Sequence, residues 1–444
     1  MDKQTIKKII KEKDIHTIRV EFPDLHGVSR NKSLPANRID EIIEEGITSS
    51  QVVFAVMLNN DISEDSGVAD EVSYSDMKII PDLNTFTIVP YLDGTARMIG
   101  DIYVKDEPFA QSPRWLLKRV IKQYNELGLC PIAASELEFY IYRQGENGLE
   151  PYADSEGTLY TTSPRTDPLG IMSKLQSYLL EMGFDVLYYN NEYFAGQYEF
   201  NWKHSEALVQ ADQSFTFKNV CKELGYMHDL HFTFMGRPSN EAGGSGFHIH
   251  FSLDDLKTGV NCFEDTTDKY GMSALMRHFI AGQIRHAEGM TAFLAPTTNS
   301  YKRFMRDAFA PYFIGWGLDN RTTYIRVPDE RGKATRVELR AACASANPYL
   351  ALATALISGL DGIKKKLDPG EPFLGDLYRE NEGHYKNVPL SLYRSLKNLE
   401  KDEVLNDAIG SPLINNFLSM KTAEVEAYRT NVTDWEVDYY SYHM

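Results

Sequence analysis

The chain has 444 residues, 43% of them hydrophobic, which is enough to bury a large core and favours two domains over one. Asp and Glu number 63 against 46 Lys and Arg, and the net charge of −17 disfavours nucleic acid or an anionic membrane surface as a main partner. The opening Met1-Asp2-Lys3-Gln4-Thr5-Ile6 lacks the apolar stretch of a secretory leader, and no apolar run reaches the roughly eighteen residues of a membrane span. A cytoplasmic location is therefore expected. Cys130, Cys221, Cys262 and Cys343 are widely spaced and form no CxxC, which suits reduced, packed thiols rather than a disulfide frame or a zinc site.

In chain order, residues 3–13 read as a short basic helix, and Thr17 to Phe22 as an alternating strand ending in the turn Pro23-Asp24-Leu25-His26-Gly27. A helix over 37–45 and strands within 78–105, turning at Asp93-Gly94, complete a compact first unit. Ser112 and Pro113 give a cap and a first helical position, so the boundary is expected near residue 108, with domains at 1–107 and 108–444. Beyond it, a strand over 132–142, a helix over 170–182, a strand to about 202, a helix over 206–225, a strand over 247–253 and a helix over 272–290 alternate. Strands near 312–327 and 335–341, then helices from 347 onward, complete an α+β class. The segments 59–75 and 143–168 read as exposed loops or flaps.

Four stretches carry the chemistry. Ser135-Glu136-Leu137-Glu138-Phe139, Gly246-Phe247-His248-Ile249-His250, Tyr324-Ile325-Arg326 and Arg336-Val337-Glu338-Leu339-Arg340 alternate charge with apolar residues at period two. Side chains at i and i+2 of a strand share a face. Glu136 with Glu138, His248 with His250, and Arg336 with Glu338 and Arg340 would then line one surface, while Leu137, Phe139, Ile249, Val337 and Leu339 pack inward. Isolated charges are too costly to bury beside such a core, and divalent cations with an anionic substrate would relieve that cost. Taken singly, a Glu-x-Glu or a His-x-His pair is a weak signal, and the Gly243-Gly244-Ser245-Gly246 run reads equally as a flexible turn or as a loop that a small ligand approaches closely.

In combination the pattern is specific. Together with Asn299-Ser300-Tyr301-Lys302-Arg303, Asn320-Arg321-Thr322-Thr323-Tyr324-Ile325-Arg326-Val327-Pro328 and Ala346-Asn347-Pro348-Tyr349-Leu350, these stretches resemble the bacterial type I glutamine synthetase family over essentially the whole chain. The resemblance implies a small β-grasp domain, a catalytic domain with a curved antiparallel sheet, and two stacked hexameric rings, a dodecamer with active sites between subunits. It implies Glu138, Glu192 and Glu199 as ligands of a first metal, and Glu136, His248 and Glu338 as ligands of a second, with Glu199 near both. Oxygen donors with one imidazole suit Mg²⁺ or Mn²⁺. By the same resemblance Arg303, Arg340 and Gly244 hold glutamate, and Arg321 and Arg326 stabilise the phosphoryl group passing from ATP. His250, Ser252, Lys333 and Arg336 fall at nucleotide-side positions, and Glu192 and Asp307 are candidates for taking a proton from the amine.

Three departures bear on the acceptor. The family's flap carboxylate falls at Phe309, its other ammonium-binding carboxylate falls at Ile47, and an asparagine usual near glutamate is Gly243. Losing two carboxylates removes the charge that concentrates a small cation and receives its proton. The pattern resembles glutamine-synthetase-like γ-glutamylamide ligases, which implies an organic amine in place of ammonia. Two alternatives stand beside this reading: a glutamine synthetase in which another carboxylate (Asp61, Glu64 or Asp65) reaches the ammonium, and a non-catalytic oligomer on the same fold. No tyrosine-bearing insertion for nucleotidylation is evident near Tyr385 and Tyr393.

Overall fold

The computed structural model describes residues 1–146, 148–153, 159–380 and 383–444. Two sheets organise it. The first contains β1 (Thr17–Pro23), β2 (Ser29–Pro35), β3 (Ile47–Ser50), β4 (Asp76–Ile88), β5 (Thr95–Val104) and β6 (Glu107–Pro108), in the order β2-β1-β5-β4-β3 with β6 on β5. β1 runs parallel to β5, and the other pairings are antiparallel. The second sheet begins with β7 (Leu129–Gly145), β8 (Gly148–Pro151), β9 (Val186–Asn191), β10 (Gln197–Trp202), β11 (Ser205–Glu206) and β12 (Leu230–Thr233). It continues through β13 (Phe247–Asp255), β14 (Trp316–Leu318), β15 (Ile325–Val327) and β16 (Val337–Leu339). Its order is β14-β15-β16-β13-β7-β10-β9, with β8, β11 and β12 also pairing with β7.

The helix Pro113–Glu126 separates the sheets, and Ser112 caps it by accepting from the Trp115 N–H, as its sequence predicts. One apolar core nevertheless runs through both sheets, including Ile18, Val20 and Met98 from the first and Leu137, Phe139, Ile249, Val337 and Leu339 from the second. Buried ion pairs cross the junction: Arg114 meets Asp82, Asp101 and Asp212, while Arg97 meets Glu21 and donates to Thr216. Each charge there has a partner, which offsets the cost of taking it from water.

Several expectations required correction. The helix expected over 272–290 is two, Ala274–Arg285 and Ala287–Leu294, meeting at His286. His286 leaves helical geometry and places its ring between Asp361 (3.0 Å) and Asp402 (2.8 Å). Residues 59–75 form the largely exposed loop expected there, pinned to the body where Ser63, Ser66, Val68 and Ala69 are buried, Ser63 and Ser419 share a hydrogen bond, and Gln111 donates to the Ser66 carbonyl. The loop 143–168 is partly a hairpin of β7 with β8, followed by buried Tyr152 and Ala153; residues 147 and 154–158 lie outside the described residues. Strand structure in 312–327 is limited to two three-residue pieces, because Asp319–Tyr324 forms the turn between them. No helix is long and apolar enough to cross a membrane among the described residues.

The His286 junction gives a pH-dependent stability. Burial opposes the imidazolium, but Asp402 and Asp361 outweigh it and raise the pKa above the ordinary 6.5. Lys365 also pairs with Asp361, and Lys401, Arg285 and Glu403 border the same pocket. A raised folded-state pKa stabilises fully below the unfolded value and loses that contribution as pH rises through the folded one. The melting temperature should therefore fall as pH rises from about 6 through the raised folded-state pKa, and by more than in His286→Gln. Parallel melting curves of the two proteins would remove this role.

Candidate active site

Pairing register builds the site. Across antiparallel strands, Glu199 lies opposite Glu138, Glu136 opposite His248, His250 opposite Glu338, and Arg326 opposite Glu338. Opposed residues share a face, so five strands deliver these groups to one charged surface while Leu137, Phe139, Ile249, Val337 and Leu339 are fully buried behind it. His250 Nε2 lies 2.8 Å from Glu136 Oε1, and His248 Nδ1 lies 3.3 Å from Glu136 Oε2 and 3.7 Å from Glu338 Oε1. Glu138 accepts from the Gly246 N–H at 2.8 Å and from Gln197 Nε2 at 3.1 Å. Arg326 and Arg340 each bind one oxygen of Glu338.

The carboxylates divide electrostatically. Burial pushes Glu338 up, but Arg340 and the two histidines outweigh it and hold its pKa at about 2. Glu136 behaves likewise, drawn well below the usual range against burial by His250 and His248. At the other end, burial and the charge of Glu138 push Glu192 up to about 7, and burial with Glu136 and Glu138 pushes Glu199 well above its ordinary value. These carboxylates repel one another, and a divalent cation relieves such repulsion.

The donor set fits a metal. Ligand atoms of Glu136, His250 and Glu338 lie within 4.8 Å of one another, as do those of Glu136, Glu199 and His248. Both groups centre on Glu136. In these groupings His250 joins Glu136 and Glu338, and Glu199 joins Glu136 and His248, while His248 also stays 3.7 Å from Glu338. Oxygen donors with imidazole suit Mg²⁺ or Mn²⁺. A metal at about a hundredfold excess over its Kd stabilises by about 2.7 kcal/mol. Mn²⁺ should therefore raise the melting temperature by several degrees, and less in Glu199→Gln; no response to either Mg²⁺ or Mn²⁺ would oppose the assignment.

Two cavities flank the charged surface. One, of about 400 Å³, is lined by His250, Ser252, Lys333 and Arg336, bringing together all four positions expected beside the nucleotide, with His204 also in its lining. The other, of about 600 Å³, is lined by Glu138, Glu192, Glu199, Gly244, His248, Phe309, Arg321, Arg326 and Arg340. Glu136 and Tyr188 border both. Arg303 lies behind the second cavity, buried, with its guanidinium on the carbonyls of Ala341 and Arg340. Its stem crosses Gly244, where a Cβ would stand 2.4 Å from Arg303 Cγ.

Not every expected residue arrives within one chain. Ile47 is buried in β3 opposite Ile79, in the core of the first sheet, and borders neither cavity. Asp61, Glu64 and Asp65 border neither, and Asp61 instead accepts from Asn59. Asp307 is exposed and lies 3.8 Å from Arg379. Other residues escaped the sequence analysis. Asn201 donates to Glu199 at 2.7 Å, Asn190 to Glu192 at 2.8 Å, and Asp319 accepts from Arg326 Nε and Nη2 at 2.9 and 2.6 Å. The period-two spacing of Asn201 and Glu199 was a usable signal, whereas Asp319 meets Arg326 across a turn that spacing does not reveal.

A family model for the glutamine synthetase catalytic domain matches residues 110–440. The chain belongs to the glutamine synthetase family. This glutamine synthetase family ligase is 35% identical over 450 residues to a glutamine synthetase of Staphylococcus aureus, covering 99% of this chain and 98% of that one. Glutamine synthetase of Thermotoga maritima is 34% identical, with 99% of both chains covered. Among solved structures, GmaS without ligand aligns with a TM-score of 0.87 at 32% identity, and a GmaS/ADP complex with 0.88 at 30%, each covering 98% of both chains.

Proposed function

We propose that this family member joins the γ-carboxylate of glutamate to an organic amine, using ATP and Mg²⁺ or Mn²⁺. The observation that carries the reading is Phe309, which stands on the lip of the larger cavity, 71% exposed, where the family's flap supplies a carboxylate. An aromatic lip does not attract ammonium as a carboxylate does, and it favours an amine that bears carbon. The similarity to GmaS, a γ-glutamylmethylamide synthetase, supports the same acceptor class. The ADP in one GmaS complex supports a nucleotide in the cavity of His250, Ser252, Lys333 and Arg336.

In this reading glutamate, held by Arg340 and Gly244 with Arg303 packed behind Gly244, attacks the γ-phosphate of ATP through its γ-carboxylate, and ADP leaves. Arg321 and Arg326 neutralise the charge developing on the transferred phosphoryl group. The amine then attacks the acyl phosphate, phosphate departs, and the amine's proton passes to Glu192, which lines the same cavity as Phe309. Bound metal ions would offset the repulsion between the two anionic reactants. Active sites between subunits of a dodecamer are part of the proposal, and the exposed aromatic residues Trp435, Tyr439 and Tyr440 on the last helix are a surface that assembly would cover.

ADP release with amide detection by mass, across ammonium, methylamine, isopropylamine, ethanolamine, putrescine, spermidine and aniline, tests the reading. Turnover is expected with a carbon-bearing amine and little with ammonium. Preference for ammonium would make the protein a glutamine synthetase, as its curated relatives are named. Absence of ADP release with any acceptor would favour a non-catalytic oligomer.

A further inference from the structure

Gly243 stands out because the family's asparagine is missing there, and the structure shows what took its place. A Cβ on Gly243 would lie 2.1 Å from Phe194 Cε2 and 2.5 Å from its Cδ2. The Phe194 ring thus occupies the space of a side chain at 243. It packs against the cluster of Tyr140, Tyr142 and Ala242, and Tyr140 donates to the Gly243 carbonyl at 3.2 Å. Phe194 in turn meets Tyr193 edge-on at 5.1 Å, and Tyr193 meets Phe309 at 6.4 Å.

All three rings border the larger cavity. Tyr193 is 59% and Phe309 71% exposed, so neither ring is spent on the core. Exposed aromatic rings side by side at the mouth of a charged cavity offer a contact surface to hydrocarbon. Glu192, adjacent in sequence, is the cavity carboxylate next to these rings, and by the family resemblance it also stands with Glu138 and Glu199 around the first metal. One carboxylate beside an aromatic wall matches one ammonium group attached to a carbon chain.

We infer that Phe194 and Tyr193, the ring seated on Gly243 and the ring beside it, are specificity-determining residues that with Phe309 receive the hydrocarbon portion of a primary monoamine. This rests on the amine-ligase reading above. Phe194 sets the inner end of the wall because Gly243 makes room for it, so the two positions are coupled in size. Asn at 243 cannot fit while Phe194 keeps its place.

The test uses the assembled enzyme with isopropylamine, putrescine and ammonium as acceptors, and hydroxylamine to trap the acyl phosphate independently of the natural acceptor. Tyr193→Ala and Phe194→Leu should each raise KM for isopropylamine by roughly tenfold, with KM for glutamate and hydroxamate formation within about twofold of wild type. Gly243→Asn should lose both amide and hydroxamate formation, and Phe194→Ala with Gly243→Asn should recover hydroxamate formation. Retained or recovered hydroxamate formation shows that a variant is folded and makes the acyl phosphate. An unchanged KM for isopropylamine, an equal rise in KM for glutamate, or better turnover of putrescine than of isopropylamine would overturn the inference while leaving the amine-ligase reading intact. Wild-type preference for ammonium, or no turnover at all, would overturn both.

Discussion

Glu338→Gln is expected to lower ATP-dependent amide formation by more than about a thousandfold with every acceptor. Glu338 is 1% exposed and touches Arg326 and Arg340, with His248 at 3.7 Å and His250 opposite in register. One carboxylate therefore anchors two guanidinium groups and contributes to a candidate metal group. The glutamine variant keeps the shape and removes the charge. Either substitution leaves the two arginines without their shared counter-charge, at a cost of about 3–5 kcal/mol in stability, and alanine also removes the oxygen that glutamine keeps as a hydrogen-bond acceptor. Calorimetric Mn²⁺ binding and ADP release measured on the glutamine variant check the claim together. Turnover near the wild-type value, with Mn²⁺ bound as before, would remove Glu338 from the metal and phosphoryl machinery.

Phe309→Glu should shift the acceptor toward ammonia, raising kcat/KM for ammonium by about 10–100-fold and lowering it for isopropylamine. Phe309 occupies a left-handed backbone conformation (φ 57°), which Phe and Glu tolerate about equally, so the substitution changes side-chain chemistry without a new backbone penalty. Its carbonyl accepts from Arg340 Nη2 at 3.4 Å, a backbone contact that the variant keeps. A carboxylate there would join Glu192 in concentrating a small cation at the cavity mouth. Ammonium kinetics indistinguishable from wild type would show that position 309 does not face the acceptor. Ile47 offers no equivalent experiment within a single chain, because its side chain lies in the core of the first sheet.

The sequence by itself determined the strands of the site and the face on which their charges lie. Glu136 with Glu138, His248 with His250, and Glu338 with Arg340 were legible because side chains two apart on a strand share a face, and the apolar residues between them must be covered. The proposed flap position at Phe309 came from a motif read in order, which needs no third dimension. Tertiary structure alone decided which strands pair and in what register. That register sets His250 against Glu338, Glu199 against Glu138, and both histidines around Glu136. It also decided that Asp319 clamps Arg326 across a turn, that the helix expected over 272–290 breaks at His286, and that Phe194 fills the space over Gly243. Periodicity reports which side of an element is covered and carries no information about what covers it. Those contacts join residues up to 116 positions apart, as His286 and Asp402 are, and they exist only once the chain has closed around its core.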